Sequence, residues 1–158
     1  MQRCFQILRG LTLLVPLTAG MAPAPASAET VSLTCDLEIT THMPYGEPKV
    51  SRETAGVRMT HEPSNGLRMI VVDSLNANVT VGNVTGGSII SFLDQSTDDR
   101  WEIGNSERHG NNVIRETSVS IDRSNGLLMI YDSTRIGNNE MIVRAKGHCK
   151  KAPPERKF

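Results

Sequence analysis

Aromatic residues make up only 4% of this 158-residue chain, and neither sign of charge predominates, with 17 basic and 17 acidic side chains. So few rings predict a core built from aliphatic side chains and methionine. The charge balance excludes the broad positive field that nucleic-acid binding uses. Cysteine is scarce, at Cys4, Cys35 and Cys149, and without a matching pair of histidines two cysteines do not make a zinc site. No stretch reaches the roughly 20 consecutive apolar residues of a transmembrane helix. There is neither a Gly-x-Ser-x-Gly elbow nor a phosphate-binding glycine loop. These absences nominate no catalytic residue, no metal ligand and no cofactor.

What is present begins with a three-part leader. Arg3 and Arg9 supply a positive start, residues 10–22 (GLTLLVPLTAGMA) a short apolar run, and Ala26-Ser27-Ala28 the small residues that a signal peptidase requires. We read residues 1–28 as a signal peptide; cuts after Ala24 or Ala26 satisfy the same rule. Cys4 precedes the apolar run, which argues against a lipid anchor. Removing the leader takes Arg3 and Arg9 from the 17 basic residues and nothing from the 17 acidic ones, so the remainder carries a net charge of −2. Residues 29–149 then form one domain, expected to be a periplasmic or secreted monomer. Residues 150–158 (KKAPPERKF) form a basic tail expected to be disordered.

With Cys4 gone, Cys35 and Cys149 can pair in one intramolecular way in an oxidising compartment. Closing so long a loop stabilises by about 4 to 5 kcal/mol in the chain-entropy account. Both cysteines fall on apolar faces of period-two segments. Val31, Leu33, Cys35, Leu37 and Ile39 alternate with polar residues at one end of the domain, and Met141, Val143, Ala145, Gly147 and Cys149 do so at the other. A bond between first and last strands makes them neighbours, which favours a closed structure over an open sheet. Further strands are predicted near 55–61, 67–73, 77–81, 88–93, 100–103, 113–121 and 127–132. No window shows an apolar stripe at helical spacing. The fold class is therefore all-β, an antiparallel meander of eight to nine strands forming a small calycin-like barrel or a sandwich. Residues 42–54, 104–112 and 133–139 are predicted loops.

Ser64-Asn65-Gly66-Leu67 followed by Met69-Ile70 is echoed by Ser124-Asn125-Gly126-Leu127 followed by Met129-Ile130. Each Asn-Gly suits a turn with positive φ that launches a strand. The copies then diverge by one residue, and a bulge near Val71 or Val72 would reconcile their faces. Duplication and convergent turn chemistry both account for the echo. The second copy, Ile121-Asp122-Arg123-Ser124-Asn125-Gly126-Leu127, leads to a last strand ending in cysteine. In this it resembles small uncharacterised exported β-proteins of alphaproteobacteria. The resemblance implies a Gram-negative periplasmic or secreted β-domain and no particular mechanism. Lipocalins are a poorer match, because no Gly-x-Trp stands on the first strand.

Single residues give little chemistry. His42, His61, His109 and His148 lack the close spacing of common metal sites. Asp94, Asp98 and Asp99 lack the alternating carboxylates of a calcium loop. Asn78-Val79-Thr80 and Asn83-Val84-Thr85 match a glycosylation sequon but read more simply as turns beside strands. Trp101, sharing a face with Ile103, is either a core residue or a pocket wall. The expected function is a non-catalytic binding module for a small apolar ligand or an envelope protein, with neither nucleic acid nor membrane as partner. The alternatives are a hydrolase inhibitor, or an enzyme whose site is assembled from distant loops. An interior pocket would take its walls from Leu37, Val57, Met59, Met69, Phe92, Trp101, Met129 and Val143.

Overall fold

The computed structural model describes residues 28–62, 66–83, 89–110 and 112–152. Residues 1–27, with nearly all of the expected signal peptide, and residues 153–158 of the expected tail lie outside the described residues. Alternating polar and apolar side chains give nine strands: β1 (Glu29–His42), β2 (Lys49–Glu62), β3 (Leu67–Asp73), β4 (Val79–Gly82), β5 (Ile89–Asp94), β6 (Arg100–His109), β7 (Val113–Asp122), β8 (Leu127–Ile136) and β9 (Asn139–Lys151). Their order in the single antiparallel sheet is β4-β3-β2-β1-β9-β8-β7-β6-β5. Two meanders, β1–β4 and β5–β9, therefore meet along one seam where the first strand pairs with the last. The sheet curls into a nearly closed barrel, with β4 lying against β6 and β7. The ends of the sheet are also tied by side chains. Arg68 of β3 forms an ion pair with Asp94 of β5 at 2.9 Å, and the Gly82 amide donates to Asn105 Oδ1 at 3.3 Å.

The Cys35–Cys149 disulfide sits on the seam and closes a sequence separation of 114 residues. The two cysteines are directly opposed in the β1–β9 register, with Cys35 fully buried. Gly147, two residues earlier on β9, opposes Leu37. A Cβ at Gly147 would run into the Asp36 carbonyl and the Leu37 side chain, so only glycine lets the two strands approach this closely.

The barrel's waist is filled. Ile39, Ile70, Val72, Val81, Ile103, Val119 and Leu128 are inaccessible to solvent and form one apolar cluster. Few rings take part, as the composition predicts.

Several strands run further than their apolar residues do. Residues 49–54, expected in a loop, belong to β2 and pair with β1 from Lys49↔Thr41 to Thr54↔Asp36. The inward positions here, Ser51 and Glu53, are polar, so the segment is held by its ladder to β1 and by an Arg52–Glu38 pair at 2.8 Å. Residues 104–109 likewise continue β6, residues 133–136 continue β8, and Asn139 starts β9. Tight turns with Gly110 at φ 66° and Gly137 at φ 59° replace the expected long loops. Lys150 and Lys151, assigned to the tail, extend β9, and the Ala152 amide still donates to the Ser32 carbonyl at 3.0 Å.

The echo survives in three dimensions without the expected bulge. Gly66 and Gly126 both have positive φ, at 68° and 73°. The β3 register runs unbroken from Leu67 to Asp73; the shift in this sheet falls between Ile89 and Ser91. Ile70 and Ile130, each four residues beyond its glycine, are both buried. The phase set by the turn is thus the same in both copies. They diverge where Val72 fills the core in one and Asp132 takes the inward place in the other.

Candidate functional site

One end of the barrel is apolar and open. Strands β1, β2, β6, β7 and β9 converge there around a cavity of about 320 Å³. Val31 and Leu33 come from β1, Met59 from β2, Trp101 from β6, Ile121 from β7 and Cys149 from β9. Alternation along β1 and β9 puts Val31 and Leu33 on the same side as both cysteines, so the disulfide forms part of the cavity's base. Trp101 is 8% exposed, and His61 meets its ring edge-on with centroids 6.3 Å apart. That contact fixes the plane of the indole.

The rim is the β7–β8 turn, residues Asp122 to Gly126, together with Glu29 and Lys151. This turn folds around the Asp122 carboxylate, which accepts from the Ser124 amide at 2.8 Å, the Ser124 hydroxyl at 2.6 Å and Asn125 Nδ2 at 2.9 Å. The Ser124 hydroxyl and amide hold the Asp122 carboxyl below its ordinary 3.8, against a smaller opposing effect of desolvation. The turn is tied down on both flanks. The Cys149 amide donates to the Gly126 carbonyl at 2.8 Å, and the Arg123 amide to the Asp99 carbonyl at 2.7 Å. Arg123 Nη1 adds a bond to the Asp98 carbonyl at 2.9 Å. The acidic stretch at residues 94–99 thus supplies backbone acceptors and the Asp94–Arg68 ion pair. Among the described residues no group of three His, Cys, Asp or Glu side chains is placed to hold a metal ion.

The pocket expected from sequence is only partly assembled. Met59 and Trp101 line the cavity. Leu37, Val57 and Val143 are packed in the core, and Phe92 rests against it. Contrary to the expected pocket, Met69 and Met129 face outward: Ile70 and Ile130 take the inward places beside them, and Met129 is 42% exposed. Both methionines stand one residue out of phase with the inward face that the Asn-Gly turns set. Met129 instead lies with Tyr131, Arg144 and Lys146 in an open concavity of about 420 Å³ on the outer surface.

Sequence reasoning missed a polar cluster inside the barrel. Arg115 Nε and Nη2 donate to the two oxygens of Asp132 at 2.8 and 3.0 Å, and the Thr117 hydroxyl donates to Asp132 Oδ1 at 2.7 Å. Nearby, Asn105 Nδ2 donates to Glu107 Oε1 at 3.3 Å, and His109 lies 3.1 Å from Glu107. Hydrogen bonding to Asp132 raises the affinity of Arg115 for its proton, outweighing desolvation. Polar residues at alternate positions, Asn105/Glu107/His109 and Arg115/Thr117, are the signal that was available. The four histidines stay apart, with His42 opposite Ile142 and His148 opposite Asp36.

Comparison of the chain with protein-family models, with curated proteins and with solved structures finds no match in any of the three. No helix among the described residues is long and apolar enough to cross a membrane, a statement that does not bear on membrane β-barrels.

Proposed function

We propose that this protein is an exported, non-catalytic binding module that takes a small apolar ligand into the open end of its barrel. One observation carries the reading: among the described residues the apolar core packs the waist of the barrel, and an apolar cavity is left at one mouth, walled by Val31, Leu33, Met59, Trp101 and Ile121. Small ligand sites are concave and mostly apolar, with a few polar groups at fixed places. The turn from Asp122 to Gly126, held at its base by Cys149 and on its flank by the Asp98 and Asp99 carbonyls, gives the mouth a preorganised edge. Export is supported by the leader pattern in residues 1–28 and by the disulfide, which persists in oxidising compartments such as the periplasm or the extracellular medium.

Trp101 is the chain's only tryptophan, so its emission reports on the cavity directly. Titration with the neutral apolar dye N-phenyl-1-naphthylamine is expected to change Trp101 emission with a Kd of about micromolar order. Val31→Phe, which fills the cavity from its half-buried edge, is expected to abolish that response while leaving the melting temperature near the parent's. A parent protein that does not respond, or a filled variant that binds as well as the parent, overturns the proposal.

A further inference from the structure

The rim of the mouth has more hydrogen-bond donors to offer than acceptors. Asp122 has its carboxylate occupied by Ser124 and Asn125 within the turn. Glu29, the first residue of β1, is the remaining acid of the lining, and it is exposed. Two cations stand against it. Arg123 uses Nη1 on the Asp98 carbonyl, and a guanidinium carries five N–H donors, so most of its fork is left over. Lys151 lies on the same side of β9 as Cys149 and directly opposite Leu33 on β1. Its side chain therefore belongs to the inward series and borders the apolar wall of Val31 and Leu33 in the cavity lining. Arg123 is held in place at its base by the Asp98 and Asp99 carbonyls, and Lys151 by the β1–β9 ladder. Part of the cost of ordering Arg123 is thus met before a ligand arrives, while the Lys151 side chain is exposed on a fixed backbone.

Resting on the binding reading above, we propose that the ligand is a single-chain amphiphile, its apolar body against Trp101, Met59 and Ile121 and its anionic head on Arg123 and Lys151. A carboxylate or phosphate head accepts the donors that the rim leaves free, while a neutral or cationic head leaves them unmatched or repels them. The head sits at the solvent boundary, so its contribution weakens as salt is raised, whereas that of the apolar body does not.

The test compares decanoate, decanol and decyltrimethylammonium, each below its micelle-forming concentration, by Trp101 emission on the mature chain. Decanoate is expected to bind about tenfold or more tighter than decanol, the worth of one charge-assisted hydrogen bond, and the ammonium more weakly than either. Lys151→Glu is expected to remove most of the decanoate preference and keep the decanol affinity. Lys150→Glu makes the same charge change on the outward face of β9 and is expected to alter neither. Arg123→Glu is expected to act like Lys151→Glu, with Lys151→Glu decisive if loss of the Asp98 bond disturbs the turn. Vesicles of phosphatidylglycerol offer the same kind of head on chains held in a bilayer, and they are expected to leave Trp101 emission unchanged. Equal affinity for decanol and decanoate, tighter binding of the ammonium, equal effects of Lys150→Glu and Lys151→Glu, or a response to vesicles alone overturns the anionic amphiphile and leaves the apolar pocket standing. If none of the three amphiphiles binds, the binding reading falls with it.

Discussion

The Arg115 guanidinium and the Asp132 carboxylate meet edge to edge inside the barrel, through two bonds of 2.8 and 3.0 Å. They come from neighbouring strands and form a diagonal pair two residues apart in register: Arg115 opposes Thr134, and Asp132 opposes Thr117, whose hydroxyl also donates to the carboxylate. The pair lets β7 and β8 carry polar residues on their inward faces without leaving either charge of the pair unmatched.

Removing one partner of this pair is expected to cost far more than removing both. Asp132→Ala strands Arg115 and the Thr117 hydroxyl, and we expect a loss of about 2 to 3 kcal/mol, less than breaking a fully buried pair costs, because Arg115 is partly solvated. Arg115→Met combined with Asp132→Leu is expected to recover most of that loss. Urea denaturation of the parent and the two variants measures both effects; a double variant less stable than Asp132→Ala contradicts the account.

The two Asn-Gly turns differ in their surroundings, and the difference predicts a ranking. Gly66 and Gly126 both occupy the left-handed region, so Val at either position is expected to cost about 1 kcal/mol or more. A Cβ at Gly66 meets nothing within 4 Å, whereas one at Gly126 would lie 2.5 Å from the Cys149 carbonyl oxygen. Gly126→Val is therefore expected to be the more damaging; thermal melts showing equal losses would mean that backbone conformation alone sets the cost, and a reversed order would contradict the ranking.

The turn at the cavity rim is one of the places where acid acts. The Asp122 carboxyl is held below 3.8 in the folded chain, first by the Ser124 hydroxyl and then by the Ser124 amide. A depressed folded value means that the charged form contributes stability above about pH 4, and that this contribution is lost as the pH falls through the folded value. The stability gap between the parent and Asp122→Asn is thus expected to be full at neutral pH and to close on acidification below pH 4. Chemical denaturation across that range checks it; a gap independent of pH assigns the turn's stability to its backbone alone.

How far the fold was legible can be read strand by strand. Where polar residues alternate with apolar or small ones, as from Val31 to Ile39 or from Val143 to Cys149, sequence gives both the strand and its inward face. Where inward residues are polar, as at Ser51, Glu53, Glu107 and Thr134, the strand continues in the structure while the pattern that announces it stops. Their partners lie outside the apolar pattern: Glu53 accepts from the Leu75 and Asn76 amides in the β3–β4 connection, and Glu107 from Asn105 two residues earlier on its own strand, contacts that an alternation of large apolar residues does not announce. The same blindness divided the candidate pocket. Alternation alone turns Trp101 and Met59 toward the cavity that they line, whereas the phase of Met69 and Met129 depends on the turn before each strand. The rim at Asp122–Gly126 was visible as a turn, but its position beside Trp101 depends on β6 pairing with β7.

The seam between β1 and β9 has a consequence for how the chain reaches this structure. Within each meander, neighbours in space are neighbours in sequence, so those hairpins form from local search. Joining the two meanders through β1 and β9 requires the ends of the domain to find one another, a contact of high sequence separation that slows folding. A chain whose Cys35–Cys149 bond is already made carries that encounter as a covalent constraint. Its rate of refolding from denaturant then reflects hairpin formation and docking, whereas the reduced chain must also complete the search between its ends.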